Sequence, residues 1–135
     1  MSSLGSEALQ SNINKNVTAT IGETNVELWC SYIKDDGGYI SNIYMKARNK
    51  SSEEYLQIAI FYPPELNRNA TLTGEYLTDR VSLTNPTDES SKAILTFNKI
   101  QCVDDTDYIC GISYNTNGTI RKKETISTSI IVTSK

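Results

Sequence analysis

Short runs of alternating apolar and polar residues are the feature of this chain that most restricts its fold. They recur roughly every eight to twelve residues and are separated by glycine, asparagine, aspartate and proline. In one such run Val26, Leu28 and Cys30 share a side, which puts Trp29 on the opposite side of a strand. No run has the longer period of an amphipathic helix. The pattern predicts an all-β, antiparallel sandwich or barrel.

Length and charge limit what such a fold can do. The chain has 135 residues and a net charge of -3, so it suits a single domain and lacks the basic surface that attracts nucleic acid. No apolar stretch approaches the roughly 20 residues that span a bilayer, and the first residues lack the apolar core of a signal peptide. We expect residues 1–13 to be disordered or vector-derived, residues 14–135 to form one domain, and neither to contact a membrane.

Residue types argue against an enzyme. The chain contains no histidine, which removes Ser-His-Asp and Cys-His arrangements and most catalytic zinc sites. Adjacent carboxylates occur in predicted turns, where acidic side chains are ordinarily solvated: Asp35 with Asp36, Glu53 with Glu54, and Asp104 with Asp105. We therefore expect no catalytic residue, no cofactor and no metal, and a function in binding.

One segment carries a resemblance to a known family. Residues 93–110, AILTFNKIQCVDDTDYIC, closely resemble the E strand, E–F turn and F strand of V-set immunoglobulin domains. The family positions are taken here by Leu95, Phe97, Ile100, Asp104, Thr106, Tyr108 and Cys110. The resemblance implies a V-type immunoglobulin-like sandwich of two sheets with Greek-key topology.

The resemblance also implies three structural contacts. Cys30 and Cys110 would form the buried disulfide, and their separation suits the V-type topology with its extra C′ and C″ strands. Tyr108 occupies the tyrosine-corner position, where the hydroxyl bonds to backbone upstream. Arg80 would pair with Asp104 and close the lower edge of the sandwich.

Two positions depart from the family pattern. Strand C normally supplies a tryptophan that packs on the disulfide, and parity and spacing put Ile43 in that place. Cys102 is a third cysteine in the E–F turn. It is interpreted as a buried thiol, an intermolecular bridge, or the partner of a cysteine outside this chain.

Partner contacts are implied for the sheet formed by strands G, F, C and C′. In families that this chain resembles, such as junctional adhesion molecules and nectins, that sheet commonly pairs with the same sheet of a partner. Carried onto this sequence, the outward positions are Ile40, Tyr44 and Lys46 on strand C, and Ile109, Gly111 and Ser113 on strand F. Tyr44 and Ile109 are the predicted anchors; the alternative is that they merely cover the sheet.

Four matches to the N-x-[ST] acceptor pattern, at Asn16, Asn49, Asn69 and Asn117, accompany the cysteines and indicate a secretory history. The alternative is that they are ordinary polar loop residues. A glycan on Asn117 would crowd the predicted F–G hairpin and favour contact through the sheet.

Together these features predict an extracellular glycoprotein domain for cell adhesion or immune reception. It would act by protein–protein contact, either with itself as a homodimer or with another immunoglobulin-family protein. The alternative is a soluble innate-immune domain that binds microbial or carbohydrate ligands through its end loops. Viral mimicry of a host receptor is a third possibility. Whether the protein is membrane-anchored or secreted is left open.

Overall fold

Eleven strands in two sheets make up the part of the chain that the computed structural model describes, residues 9–34 and 38–134. In chain order they are β1 (Leu9–Ile13), β2 (Val17–Thr20), β3 (Thr24–Lys34), β4 (Gly38–Arg48), β5 (Tyr55–Phe61), β6 (Thr71–Leu72), β7 (Val81–Thr84), β8 (Lys92–Lys99), β9 (Thr106–Thr116), β10 (Thr119–Glu124) and β11 (Thr128–Thr133). Single 3₁₀ turns lie at Pro64–Leu66, Glu75–Leu77 and Cys102–Asp104.

The strand order is that of a V-type sandwich. One sheet has four strands in the order β1-β3-β8-β7, and the other has seven, in the order β2-β11-β9-β4-β5-β6 with β10 also paired to β9. The pair β2 and β11 is parallel, whereas β9 pairs antiparallel with β4, β10 and β11. In the family's letters, β3, β4, β5 and β9 are B, C, C′ and F, and β10 and β11 together are G. The short strand β6 supplies the C″ edge.

Alternation along the strands builds the core between the sheets. Val26, Leu28 and Cys30 of β3 are buried, as the sequence predicts, and Trp29 between them is half-buried on the outer side. Cys30 forms a disulfide with Cys110 of β9 across a Cα–Cα distance of 6.2 Å. The two sheets are therefore joined covalently at the centre of their shared apolar layer.

Aliphatic side chains close the space that the family tryptophan usually fills. Ile43 is fully buried opposite Ile112, and the next inward residue of the same strand, Met45, lies opposite Cys110. Phe97 meets Tyr108 edge-on, with ring centroids 6.5 Å apart. Aliphatic residues thus pack with the buried rings of Phe61, Phe97 and Tyr108 to fill the core, and an isoleucine takes the place of the family tryptophan.

A buried ion pair holds the turn between β8 and β9. Oδ2 of Asp104 accepts hydrogen bonds from Nη2 of Arg80 at 2.6 Å and from the backbone N–H of Gln101 at 2.8 Å. The backbone oxygen of Asp104 accepts a bond from the hydroxyl of Tyr108 at 2.7 Å. Asp104 is fully buried, so it differs from the solvated turn residue that its sequence position suggests.

The ordered sandwich begins before residue 14. Leu9–Ile13 form β1, which pairs with β3 and places Ile13 opposite Cys30. The Asn14 side chain then fixes the chain to β3. Its Oδ1 accepts from the backbone N–H of Trp29 at 3.0 Å, and its Nδ2 donates to the backbone oxygen of Glu27 at 3.1 Å. Residues 1–8, and the predicted turn at Asp35 and Asp36, lie outside the described residues.

Candidate partner-binding face

The outer side of the seven-stranded sheet is the surface on which the sequence places partner contacts. Cross-strand register arranges it in rows, because residues opposite one another on neighbouring strands point to the same side. We call it the front face and define it by Tyr39, Asn42, Tyr44, Lys46, Ile109, Gly111, Ser113, Asn115, Ile120, Lys122 and Glu124.

Tyr44 lies flat at the centre of the front face. Its ring covers Gly111, where a Cβ atom would overlap the ring, and its hydroxyl donates to Oε2 of Glu124 at 2.8 Å. The same carboxylate oxygen accepts from Nζ of Lys46 at 3.1 Å. Nζ of Lys46 and Nζ of Lys122 lie 5.4 Å and 5.6 Å from the ring centroid. The ring therefore makes this part of the surface flat, and the Tyr44 hydroxyl and the Glu124 carboxylate already have hydrogen-bond partners within the cluster.

The cluster shifts the pKa values of its members. Burial, followed by the hydrogen bond to Glu124 and the charge of that carboxylate, raises the pKa of Tyr44 above its ordinary value of 10.0. Burial by itself would raise the pKa of Glu124, but the hydrogen bonds from Tyr44 and Lys46 outweigh it and lower the pKa below 4.5. The hydroxyl therefore stays neutral and the carboxylate stays charged across the physiological range.

Ile40 lies on the inner side of β4, so its prediction as an outward contact residue is wrong. The sequence pattern places it on the outer side of strand C, but it is only 2% exposed and belongs to the core. The register with β9 shifts between Ile40 and Asn42, so one extra residue reverses the alternation at this point. Tyr39, the neighbour of Ile40, therefore points outward.

The other predicted contact residues lie on the front face but differ in their exposure to solvent. Lys46 and Ile109 are half-buried. Gly111 and Ser113 are buried under neighbouring side chains, and Tyr44 itself is only 3% exposed. Tyr44 thus offers little accessible surface, and its role as a partner contact stays a prediction.

Sequence reasoning missed the two most accessible apolar residues of this surface. Tyr39 and Ile120 both lie beside Asn115 in the last row before the hairpin, and they are 54% and 69% exposed. The available signal was an apolar residue directly after each of two predicted turns, Tyr39 after Gly38 and Ile120 shortly after Gly118. The bulge conceals it, because uninterrupted alternation puts Tyr39 on the inner side.

The acceptor asparagines Asn16, Asn49, Asn69 and Asn117 are all exposed. Asn117 lies in the turn between β9 and β10, next to the row of Tyr39 and Ile120. Cys102 is also exposed, in the 3₁₀ turn before β9. Its exposure contradicts the interpretation as a buried thiol and leaves the two interpretations that involve a second cysteine.

A hollow of about 750 Å³ lies beside the turn that joins β4 to β5. Leu56, Tyr76 and Val103 contribute apolar surface, and Glu75 is the acidic residue in its lining. In the described ranges, no group of three or more metal-ligating side chains converges, and no helix is long and apolar enough to cross a membrane.

Comparison with known proteins agrees with this topology. A solved structure of murine CRIg, a protein with a V-set immunoglobulin domain, superposes with a TM-score of 0.70. The match covers 93% of this chain and 98% of that chain at 17% sequence identity. The fold is that of a V-type immunoglobulin domain. No family model and no curated protein sequence matches the chain, so the resemblance lies in the V-type fold and in the few residues that build it.

Proposed function

We propose that this V-type domain is an extracellular recognition domain that binds a protein partner through the front face. The partner is a second copy of the chain or another immunoglobulin-family protein. The observation that supports the proposal is the flat centre of the front face. There the ring of Tyr44 covers Gly111, and its hydroxyl is hydrogen-bonded to Glu124. A level surface with satisfied polar groups loses little when water is removed from it, which favours association with another flat surface.

Apolar side chains around this centre support contact with protein. Ile109 and Ile60 are half-buried beside it, and Tyr39 and Ile120 stand exposed at one end. Partly covered aliphatic and aromatic residues within a polar surface are typical of the centres of protein interfaces. The disulfide between Cys30 and Cys110 supports an oxidising, extracellular location.

The proposal is tested with the chain immobilised on beads. Binding of the soluble chain, and of immunoglobulin-domain ectodomains from the same genome, to these beads is then measured. Ile109→Glu places a charge on the front face, and Ile94→Glu is the matched control on the outer side of the four-stranded sheet. Both isoleucines are half-buried on the outer side of a central strand. We expect at least one protein of this panel to bind. Its affinity should fall at least tenfold with Ile109→Glu and stay unchanged with Ile94→Glu. A panel without any binder, or equal loss with both variants, would contradict the proposal.

A further inference from the structure

The turn between β9 and β10 contains the only asparagine–glycine pair of the chain, Asn117–Gly118. The backbone nitrogen that follows an asparagine can attack the side-chain carbonyl carbon Cγ and close a succinimide ring. A side chain on the following residue hinders this approach, and each of the other asparagines precedes a residue that has one. The sequence therefore makes Asn117 the asparagine most open to this reaction.

The structure leaves this pair accessible to water. Thr116 and Thr119 lie opposite each other at the end of the β9–β10 ladder, so Asn117 and Gly118 form a two-residue turn. Both turn residues are exposed, and their φ angles are 55° and 77°. Positive φ at both central positions identifies the type I′ hairpin turn, which asparagine followed by glycine favours. Water can therefore reach a succinimide formed here and hydrolyse it.

The closed turn keeps the attacking nitrogen away from Cγ. In the left-handed backbone region ψ is about +47°, which places the nitrogen of Gly118 nearly opposite Cβ of Asn117 across the Cα–C bond. Ring closure requires these two atoms on the same side of that bond. The backbone N–H of Gly118 also donates to Oδ1 of Asn115 at 3.1 Å, which holds the nitrogen where it is. The reaction therefore proceeds only when the turn opens.

We propose that Asn117 is a site of spontaneous deamidation whose rate is set by opening of this turn, and that Asn115 keeps the turn closed. In the open turn the Gly118 nitrogen loses its proton to solvent and bonds to Cγ of Asn117. The Cγ–Nδ2 bond breaks, and the leaving nitrogen takes up a proton and departs as ammonia. Water then opens the succinimide: attack at Cγ gives aspartate, and attack at the main-chain carbonyl carbon gives isoaspartate.

Either product changes the end of the front face at which Tyr39 and Ile120 are exposed. It adds a carboxylate to a chain with a net charge of -3, and it removes the amide of the acceptor pattern at residues 117–119. Isoaspartate also lengthens the main chain by one carbon atom within a two-residue turn, whose type depends on its length. Deamidation thus alters the charge, the glycan acceptor and the turn geometry at one place.

The test uses the 135-residue chain from a host that attaches no N-glycans, because a glycan on Nδ2 would block release of ammonia. The chain is incubated at physiological temperature and mildly alkaline pH, and peptide mapping with electron-transfer fragmentation follows aspartate and isoaspartate at each asparagine. We expect both products at Asn117 before any other asparagine reacts. The chain denatured in guanidinium chloride gives the rate with the turn open, which should exceed the folded rate by about tenfold or more.

Asn115→Ala tests the hydrogen bond that holds the nitrogen. It should speed deamidation of Asn117 in the folded chain by about two- to tenfold, the factor that one hydrogen bond contributes to such an equilibrium. The rate in the denatured chain should not change. Asn42→Ala, which removes an asparagine opposite Ser113 on the same face, is the matched control and should leave both rates unchanged. Gly118→Ala should slow the reaction in the denatured chain, because a methyl group hinders the attack.

Several results would overturn the inference: a folded chain that stays unmodified at Asn117 while the denatured chain is converted, equal rates in the two states, or an Asn115→Ala variant that reacts no faster than the wild type. The first result excludes the site, and the other two exclude the closed turn as the control of its rate. None of them bears on the proposed function, which the bead assay with Ile109→Glu tests separately.

Discussion

Gly111 lies directly opposite Tyr44 in the β4–β9 pair, and the tyrosine ring rests on the glycine backbone. A Cβ atom at residue 111 would overlap the ring carbon and hydroxyl of Tyr44. The glycine is required here by close approach, because only a residue without a side chain allows the ring to lie flat. The level centre of the front face depends on this pair.

Gly111→Ala should therefore destabilise the domain by about 1–3 kcal/mol, the usual range for overpacking. The same substitution in a Tyr44→Ala background should cost much less, since the ring that it displaces is gone. Urea unfolding of the four proteins of this double-mutant cycle measures the coupling. Ser113→Ala, on the same strand and side, is the control and should have little effect. A cycle without coupling would show that Tyr44 does not depend on Gly111.

Asp104→Asn tests the buried ion pair at the base of β9. The carboxylate is fully buried, and the Arg80 side chain is 15% exposed, so the substitution leaves a largely buried guanidinium without its counter-charge. Breaking such a pair costs about 3–5 kcal/mol, and we expect a loss near the lower value because Arg80 retains some access to water. Glu53→Gln removes the partner of Arg48 where the carboxylate is 73% exposed, and that loss should stay below about 1 kcal/mol. Equal losses in urea unfolding would contradict this assignment.

Alkaline pH should destabilise the domain through Tyr108 and Tyr44. Burial is the first cause of the raised pKa of Tyr108, and both hydroxyls stay protonated in the folded state above the ordinary value of 10.0. The unfolded chain loses these protons near pH 10, so the folded state then binds more protons and its stability falls as the pH rises. Below pH 10 the contribution is fully present.

Absorbance at alkaline pH measures this effect directly. Tyr108→Phe and Tyr44→Phe should leave the tyrosinate signal of the folded protein near pH 10 unchanged, because neither hydroxyl ionises there. Tyr108→Phe should also cost about 1–3 kcal/mol, since it leaves the backbone oxygen of Asp104 without the hydroxyl donor. A smaller tyrosinate signal in the Tyr108→Phe variant would show that the Tyr108 hydroxyl ionises near pH 10 in the folded protein, which would contradict the raised pKa.

The sequence predicted the fold well where alternation is regular and motifs are local. Residues 93–110 carry the turn, the tyrosine and the cysteine within one short segment, so the β8–β9 half of the sandwich follows from them. Ile40 was misplaced because a single bulge residue reverses the alternation, and no residue type in that run marks the bulge. Strand β1 was missed because its residues, LQSNI, are held by backbone pairing to β3 rather than by an apolar pattern.

The accessibility of the front face could not be read from strand parity. Parity assigns Tyr44 to the outer side but does not reveal that a carboxylate from β10 and a glycine from β9 hold its ring flat. Glu124 is 80 residues away from Tyr44 in the chain. The exposure of Tyr39 and Ile120 likewise depends on where the hairpin ends, which only the register establishes.

Glycosylation of Asn117 should oppose association through the end of the front face at which Tyr39 and Ile120 are exposed. The asparagine is exposed in the turn between β9 and β10, so a glycan there would occupy space beside these two apolar side chains. We expect the chain from a secretory host to dimerise at least tenfold more weakly than the Asn117→Gln variant from the same host. Asn49→Gln, in the distant β4–β5 turn, is the matched control and should not change association. Sedimentation of both variants before and after enzymatic removal of N-glycans measures the difference. If Asn117 carries a glycan and its removal leaves the dimer unchanged, the contact lies away from the hairpin.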